Sequence, residues 1–507
     1  MSTAQDAATS VHDRGFFGHP AGLSTLFFTE MWERFSYYGM RAILTLYMTK
    51  TFAEGGLGFD EKYASIIYAT YVSSVWYLPL VGGWLADRVF GARRAVLIGG
   101  IIIACGHYSM AINSQLTFYA GLILIACGTG LLKPNISAMV GQLYSEQDKR
   151  RDAGFSIFYM GINLGAFLSP LVVGFLAQSA GFRNFISSMG FNPNSSWHWG
   201  FGAAGVGMTL GLVQYVLGRH RLAAVGNKPE AVKVSAETSV GVDYVTLVLA
   251  LVGGIGGAAL GIYFGDAGAL SALFPCVVGF FAGYLLGTTR LLNGDELKRV
   301  LVIFILFVFS ILFWMTYEQA GSSLTLFADR LTQTSFLGWQ YPSSWFQSVP
   351  AIFVIIFAPI IGAVWQQLGN RQPSSPGKFT IGLFFAGIAF VVIAFASTLT
   401  VNGRVSPMWL VSVYFLQTIG ELCLSPVGLS TVTKLSPARM VGLMMGVWFL
   451  SISIGSYIAG LTTRLFEGND PAVLTRAFGV FAGITLIAAV ILAVLTPLIK
   501  KMTPRSV

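Results

Sequence analysis

Between Phe27 and Thr49 the chain reads FFTEMWERFSYYGMRAILTLYMT, placing Glu30, Glu33, Arg34 and Arg41 inside a run otherwise apolar enough to cross a bilayer. One charge at the centre of a membrane helix costs about 2.5–3.5 kcal/mol on insertion scales. On a helical wheel Glu30, Glu33, Arg34, Tyr37 and Arg41 share an arc of roughly 100°, with Tyr38 at its edge, while Met31, Trp32, Phe35 and Gly39 face away. Such a face must meet protein or a water-filled cavity, never lipid. Arg41 stands about 16 Å beyond Glu30 along the axis, so the stripe runs across the bilayer midplane. Residues of these types at this spacing suit two tasks: gripping an anionic group, and passing a proton among carboxylates.

Other apolar segments carry matching polar positions. GLLKPNIS sets Lys133 beside the helix-bending Pro134, and FYMGINLG sets Tyr159 and Asn163 one turn apart. FWMTYEQAGSS is expected to place Trp314, Tyr317, Glu318 and Gly321 on one helix face. LQTIGELCLSP puts Glu421 between Gly420 and Pro426, with Gln417 and Ser425 a turn to either side. If they converge, four carboxylates meet three bases. Ion-pair staples between helices would explain the charges, but not the accompanying Tyr, Trp, Asn and Gln, which suit ligand contact.

The elements that position these groups follow from composition. The 507 residues are 54% hydrophobic and 10% charged, against roughly a quarter charged in soluble domains, so this is a membrane protein. Runs of about 20 apolar residues predict fourteen helices near 22–50, 60–87, 94–113, 116–143, 151–178, 198–218, 243–264, 268–289, 299–327, 344–367, 379–398, 407–434, 440–464 and 474–498. An even count puts both termini on one side. Lys50, Lys62, Arg183, Arg330, Arg404, Arg464 and Arg476 alone occupy the opposite loops, while most of the 31 basic residues fall on the side of the termini. That asymmetry predicts cytoplasmic termini in a cell inner (plasma) membrane. The N-terminal residues lack a basic start and a cleavage site, so no signal peptide is expected. The net charge of +9 follows from this topology and gives no reason to expect nucleic acid. Cys105, Cys127, Cys276 and Cys423 have unrelated spacings and read as packing thiols rather than disulfides or ligands. His12, His19, His107, His198 and His220 show no metal spacing, and no nucleophile or P-loop motif appears, so neither a metal site nor an enzyme is expected.

The long basic stretch GRHRLAAVGNKPEAVK (218–233) precedes a helix pair, 243–289, whose only charge away from its ends is Asp266. The simplest parse is a tail (1–21), a six-helix bundle (22–218), a linker with an inserted transmembrane hairpin (219–298), a second six-helix bundle (299–498) and a short tail (499–507). GGWLADRVFGARR (82–94) and GAVWQQLGNRQ (362–372) echo one another after the second helix of each half, and repeated halves around a central site are a transporter architecture. The first of these loops, through Gly82, Gly83, Leu85, Asp87, Arg88, Gly91, Arg93 and Arg94, resembles the loop between helices two and three of the major facilitator superfamily. In physical terms Asp87 is placed to cap a neighbouring helix and the arginines to pin the loop to the membrane surface, a conformational role.

EMWERFSYYGMR resembles the ExxERFxYYGxR motif of the proton-dependent oligopeptide transporter (peptide transporter) family, and FYMGINLG is similar to that family's fifth-helix signature. The Lys133, Glu318 and Glu421 positions and the inserted hairpin also fit its fourteen-helix bacterial members. The resemblance covers essentially the whole chain and implies an all-α major facilitator fold. It implies that Glu30 and Glu33 couple protons beside Arg34, and that Arg41 pairs with Glu318 across the halves. It implies that Lys133 and Arg34 or Arg41 meet a peptide carboxylate, Glu421 and Asn163 its amino end, and that Tyr37, Tyr38, Tyr71, Trp314, Gln319 and Trp448 line the site, with Ser425 nearby. One departure stands out. Pro350 occupies a position where the family often has Asn, so that amino-end contact is absent or comes from Gln347.

The residues taken alone lead to the same roles. A dipeptide is a zwitterion with variable side chains, so a tolerant carrier needs cations on one wall, a carboxylate on the other and aromatic surface between. The reading is a symporter importing di- and tripeptides by alternating access, without a cofactor, driven by the proton gradient; peptide, protons and lipid are its partners and a monomer its expected form. A proton-coupled carrier of another small solute, such as nitrate or a modified amino acid, is the alternative, and a multidrug exporter a more distant one.

Overall fold

In lipid every backbone N–H and C=O must be satisfied within its own segment, which makes helices of the apolar runs. The computed structural model describes residues 15–145, 148, 150–227, 243–264, 269–437, 440–466 and 468–503; His12, Asp266 and the Asp87 side chain lie outside the described residues. The first half holds α1 (Gly22–Thr49), α2 (Glu61–Leu85), α3 (Ala92–Met110), α4 (Gln115–Gln142), α5 (Arg151–Gln178), a short α6 (Ala180–Ser188) and α7 (Ser196–Gly218). Helices α8 (Tyr244–Phe264) and α9 (Ala269–Thr289) form the inserted hairpin. The second half holds α10 (Gly294–Tyr317), a short α11 (Ser323–Leu331), α12 (Val349–Leu368), α13 (Ser375–Leu399), α14 (Met408–Leu435), α15 (Val441–Thr462) and α16 (Pro471–Met502). Among the described residues 12 helices are long and apolar enough to cross a membrane by composition alone. The other two long ones are α1, which carries its four charges, and α3, which opens on Arg93 and Arg94.

Side-chain chemistry fixes several boundaries. Asp60 accepts from the Tyr63 N–H at 2.7 Å and starts α2. Asn293 and Glu296 cap each other reciprocally at the head of α10; a cap of this kind contributes about 1 kcal/mol. In the first bundle α1 packs on α5 and α7, and α4 on α2 and α3; in the second α13 packs on α14 and α16, and α10 on α15. The bundles meet where α2 lies along α15 and α5 along α12. The hairpin leans on this seam, Phe274 packing against Tyr77 of α2 and Tyr457 of α15, and an Arg290–Asp243 ion pair clasps its base.

Polar contacts across the seam cluster at the end where α1 and α5 finish. Lys50 pairs with Asp329 at 3.0 Å and Arg330 with Glu61 at 2.6 Å. Gln178 donates to the Ser343 hydroxyl at 3.0 Å, Trp345 Nε1 to the Leu171 carbonyl at 3.1 Å, and Ser348 to the Phe167 carbonyl at 2.7 Å. This end is sealed. Toward the opposite end the cavity wall includes Ser137 and Tyr159, and no contact of this kind ties the bundles there among the described residues.

Three expectations need correction. The ninth helix does not run unbroken from 299 to 327: α10 begins five residues earlier and stops at Tyr317, and Glu318–Gly321 wind into a tighter turn before α11. Ala-Gly-Ser-Ser is a weak helical sequence, and the freed carbonyls find other donors, Gly321 O accepting from Thr45 of α1 at 2.9 Å. Second, in the loop after α2, whose Gly91 has φ 76°, Arg93 does not lie free on the membrane surface. Its Nη2 donates to the Ala223 carbonyl at 2.5 Å, and Tyr215 donates to its carbonyl at 3.1 Å, tying the loop to the chain beyond α7. Third, only Cys423 is a buried packing thiol; Cys105 and Cys127 lie exposed on the bundle's outside. After α2 Arg88 sits over Trp84 at 5.2 Å, and after α12 Lys378 sits over Trp365 at 4.7 Å.

Candidate functional site

Helix α1 turns its charged stripe inward because its reverse face, through Met31 and Phe35, packs among α5 and α7. The stripe opens on a cavity of about 260 Å³ between the bundles, with walls from α1, α2, α4, α5, α10, α12, α14 and α15. This lies just below the roughly 300–1,000 Å³ of small-molecule sites. Glu30, Arg34, Tyr37, Tyr38, Arg41, Lys133, Asn163, Trp314, Glu318, Gln347, Pro350, Glu421, Ser425 and Trp448 all border it. A larger cleft of about 880 Å³ lies on the outside of the first bundle, but its walls, through Trp32, Phe35, Leu168 and Val172, are almost wholly apolar and carry no charge. The smaller cavity, unlike this cleft, gathers carboxylates and cations.

On the first wall, Arg34 Nε lies 2.9 Å from Glu30 Oε1 and 2.5 Å from Glu33 Oε2. These are ion pairs by distance; the N–H is not aimed along a hydrogen bond to either oxygen. Arg34 Nη2 and Lys133 Nζ are buried with no hydrogen-bond partner among the described residues. The Tyr37 ring lies 5.6 Å from the Arg34 guanidinium, and Lys133 Nζ sits 3.3 Å from the Trp76 ring centroid. An aromatic face supports a cation without using its hydrogens, so these donors stay available to an anion.

The opposite wall is acidic. Tyr317 donates to Glu421 Oε2 at 2.5 Å, and Gln417 braces α10 by donating to the Thr316 carbonyl at 3.3 Å. Between the walls Arg41 Nη2 donates to Glu318 Oε2 at 2.5 Å, and its Nε to Tyr68 at 2.9 Å. This ion pair crosses the seam. Gly321 lets it form: a Cβ there would fall 2.8 Å from Arg41 Nε and collide with the Tyr68 hydroxyl.

Several candidates stand elsewhere. Glu33 is fully buried behind Arg34 and does not border the cavity. Tyr71 is buried beside it, its hydroxyl without a partner among the described residues. Gln319 is corrected outright. From the tight turn after α10 it reaches α15, donating to Thr462 at 2.9 Å, while its carbonyl oxygen accepts from Ser323 of α11 at 2.5 Å. Gln347 borders the cavity, but its amide nitrogen is already given to Thr325 Oγ1 at 2.7 Å and to the Ala320 carbonyl. Asn163 donates to the Tyr159 carbonyl at 2.9 Å. Trp76, Ser137, Tyr159 and Tyr317 also border the cavity. Tyr159 and Tyr317 were legible as same-face neighbours of Asn163 and Trp314, whereas nothing in the sequence around Trp76 singles it out.

Comparison with known proteins bears on this arrangement. A family model described as the POT family matches residues 93–481. The chain is 38% identical to the peptide transporter YePEPT of Yersinia enterocolitica over 98% of both sequences. It is 36% identical to a di-/tripeptide transporter of Lactococcus lactis over 97% of this chain and 98% of the other. A mutant peptide transporter POT crystallised with alafosfalin superimposes with a TM-score of 0.81 at 42% identity, covering 99% of this chain and 100% of that one.

Proposed function

Since the chain belongs to the POT family, we propose that it imports di- and tripeptides together with protons by alternating access. The observation that carries this reading is two buried cationic nitrogens without a hydrogen-bond partner among the described residues, Arg34 Nη2 and Lys133 Nζ, on the same cavity as Glu421. A zwitterion supplies the missing partners at both ends. Its carboxylate meets the cations, a bidentate fit for the guanidinium, and its ammonium meets Glu421. Tyr38, Trp314 and Trp448 supply apolar surface for variable side chains.

Coupling has a concrete form. The Arg41–Glu318 pair holds the bundles together beside the sealed end. A proton on Glu318 removes the charge that Arg41 answers and loosens that seal, while Glu30 and Glu33 exchange Arg34 between themselves, the proton and the peptide carboxylate. With cytoplasmic termini, the sealed end faces outward and the structure is an inward-facing state. Moving one charge through 100 mV is worth about 2.3 kcal/mol and each pH unit about 1.4 kcal/mol. One proton per cycle at ~150 mV therefore sustains accumulation of roughly a few hundredfold. In this reading a monomer is the transport unit.

Labelled dialanine in proteoliposomes tests the substrate class. Competition by unlabelled di- and tripeptides but not by nitrate is the expected outcome; displacement by nitrate alone would point to a different solute.

A further inference from the structure

We infer that the loop joining α11 to α12 is a membrane-interface anchor, its tip seated at the headgroup–acyl boundary of the leaflet on the sealed side. The loop folds as a two-residue hairpin, Ser335–Phe336 pairing with Trp339–Gln340. Its turn residues, Leu337 and Gly338, have φ of 50° and 82°. Two-residue turns of this hand favour Asn, Asp or Gly at both central positions, and a branched side chain held left-handed costs about 1–2 kcal/mol.

At this strained position the chain carries a leucine that is 92% exposed, flanked by Phe336 at 66% and Trp339 at 54%. In water Asn at 337 would be the better residue on both counts. Burying a leucine side chain in an apolar medium contributes roughly 1.5–3 kcal/mol, enough to offset the turn. The surroundings identify that medium. From Leu331 to Gln347 there is no charged residue. The Trp339 ring rests 5.3 Å from Trp345. Trp345, with Tyr341, Phe167, Leu171 and Ile352, lines an apolar crevice of about 220 Å³ where α5 meets α12. Exposed Leu168, Val172 and Ile356 extend this surface down the transmembrane face. The apolar skin is thus continuous from the spanning helices to the hairpin tip, and Trp and Tyr are the residues enriched at that depth. Because Trp345 also bonds to Leu171 across the seam, separation of the bundles at this end must drag the anchor through the interface.

The test reads depth, so it is independent of the transported substrate. A nitroxide is attached at Leu337→Cys, with Cys105, Cys127, Cys276 and Cys423 replaced by serine, in the full chain in liposomes. Collision with oxygen several-fold more frequent than with a water-soluble nickel chelate is expected. A label reached better by the chelate overturns the inference, and so does one shielded from both, which would mean a protein contact. Should that variant fold poorly, native protein and Trp339→Phe are compared in vesicles of lipid brominated near the headgroup end of the chains. Native protein is expected to show a quenched component that the variant lacks; equal quenching overturns the assignment.

Discussion

Arg41 and Glu318, separated by 277 positions, meet at 2.5 Å across the seam between the bundles, and the residue that makes room for them is the glycine at which the ninth segment unwinds. A helix continued through Glu318–Gly321 would not present the Gly321 carbonyl to Thr45. The break and the ion pair are therefore one feature.

Gly321→Ala should uncouple that feature with a single methyl. The added Cβ meets the Tyr68 hydroxyl and the Arg41 side chain, so both must shift, which disturbs the Arg41–Glu318 pair. Uptake of dialanine is expected to fall at least tenfold while the melting temperature drops by only a few degrees. Native-like uptake would show that the close approach is dispensable.

Glu318→Gln keeps the shape of the partner but not its charge. Proton-driven accumulation should vanish, whereas exchange of labelled for unlabelled peptide across the vesicle membrane continues in part. Full accumulation by this variant would remove Glu318 from the coupling machinery.

Lys133→Gln and Glu421→Ala should separate the two ends of the substrate. Losing a hydrogen bond to a charged group costs about 1.5–3 kcal/mol, or roughly ten- to a hundredfold in affinity. The lysine variant should lose affinity for free dialanine but not for its amide, and the glutamate variant for free dialanine but not for its N-acetyl form. Equal losses for blocked and unblocked peptides would place these side chains away from the termini.

Ahead of α1, the segment beginning at Gly15 is held down by His19 Nδ1 against the Tyr144 hydroxyl at 2.9 Å and by Arg150 donating to the Gly18 carbonyl at 3.0 Å. Burial, with the Arg150 charge beside it, keeps the His19 pKa below its ordinary value, and Asp148 pulls weakly the other way. His19 is therefore neutral when docked and takes up a proton more readily when released. Docking is fully favoured above about pH 6.5 and weakens as the pH falls below it. Amide-exchange protection of residues 16–21, corrected for intrinsic rates, should drop between pH 7.5 and 5.5 in native protein but stay level in His19→Asn.

The spanning helices were legible because apolar runs of this length have few alternatives in lipid, and the inward stripe of α1 because charge cannot face acyl chains. The break at Glu318 was not. Gly39 sits unbroken within α1, so a glycine alone does not signal an interruption; the contact that requires one at 321 comes from another helix. Gln319 was misplaced for the same reason, since its partner Thr462 on α15 is brought beside it only by the fold. Trp76 was missed because only the fold brings Lys133 of α4 over its ring. Pro350 was legible in the sequence, but Gln347 spends its amide on Thr325 and Ala320 because the fold alone brings them beside it.

The central claim is that a pocket with cations holding spare donors on one side and a carboxylate on the other carries small peptides uphill on protons. Purified protein in liposomes, given labelled dialanine with an acid-outside gradient, should accumulate it well above the external concentration, and only equilibrate without the gradient. Equal uptake in both conditions, or none in either by folded protein, would contradict that claim.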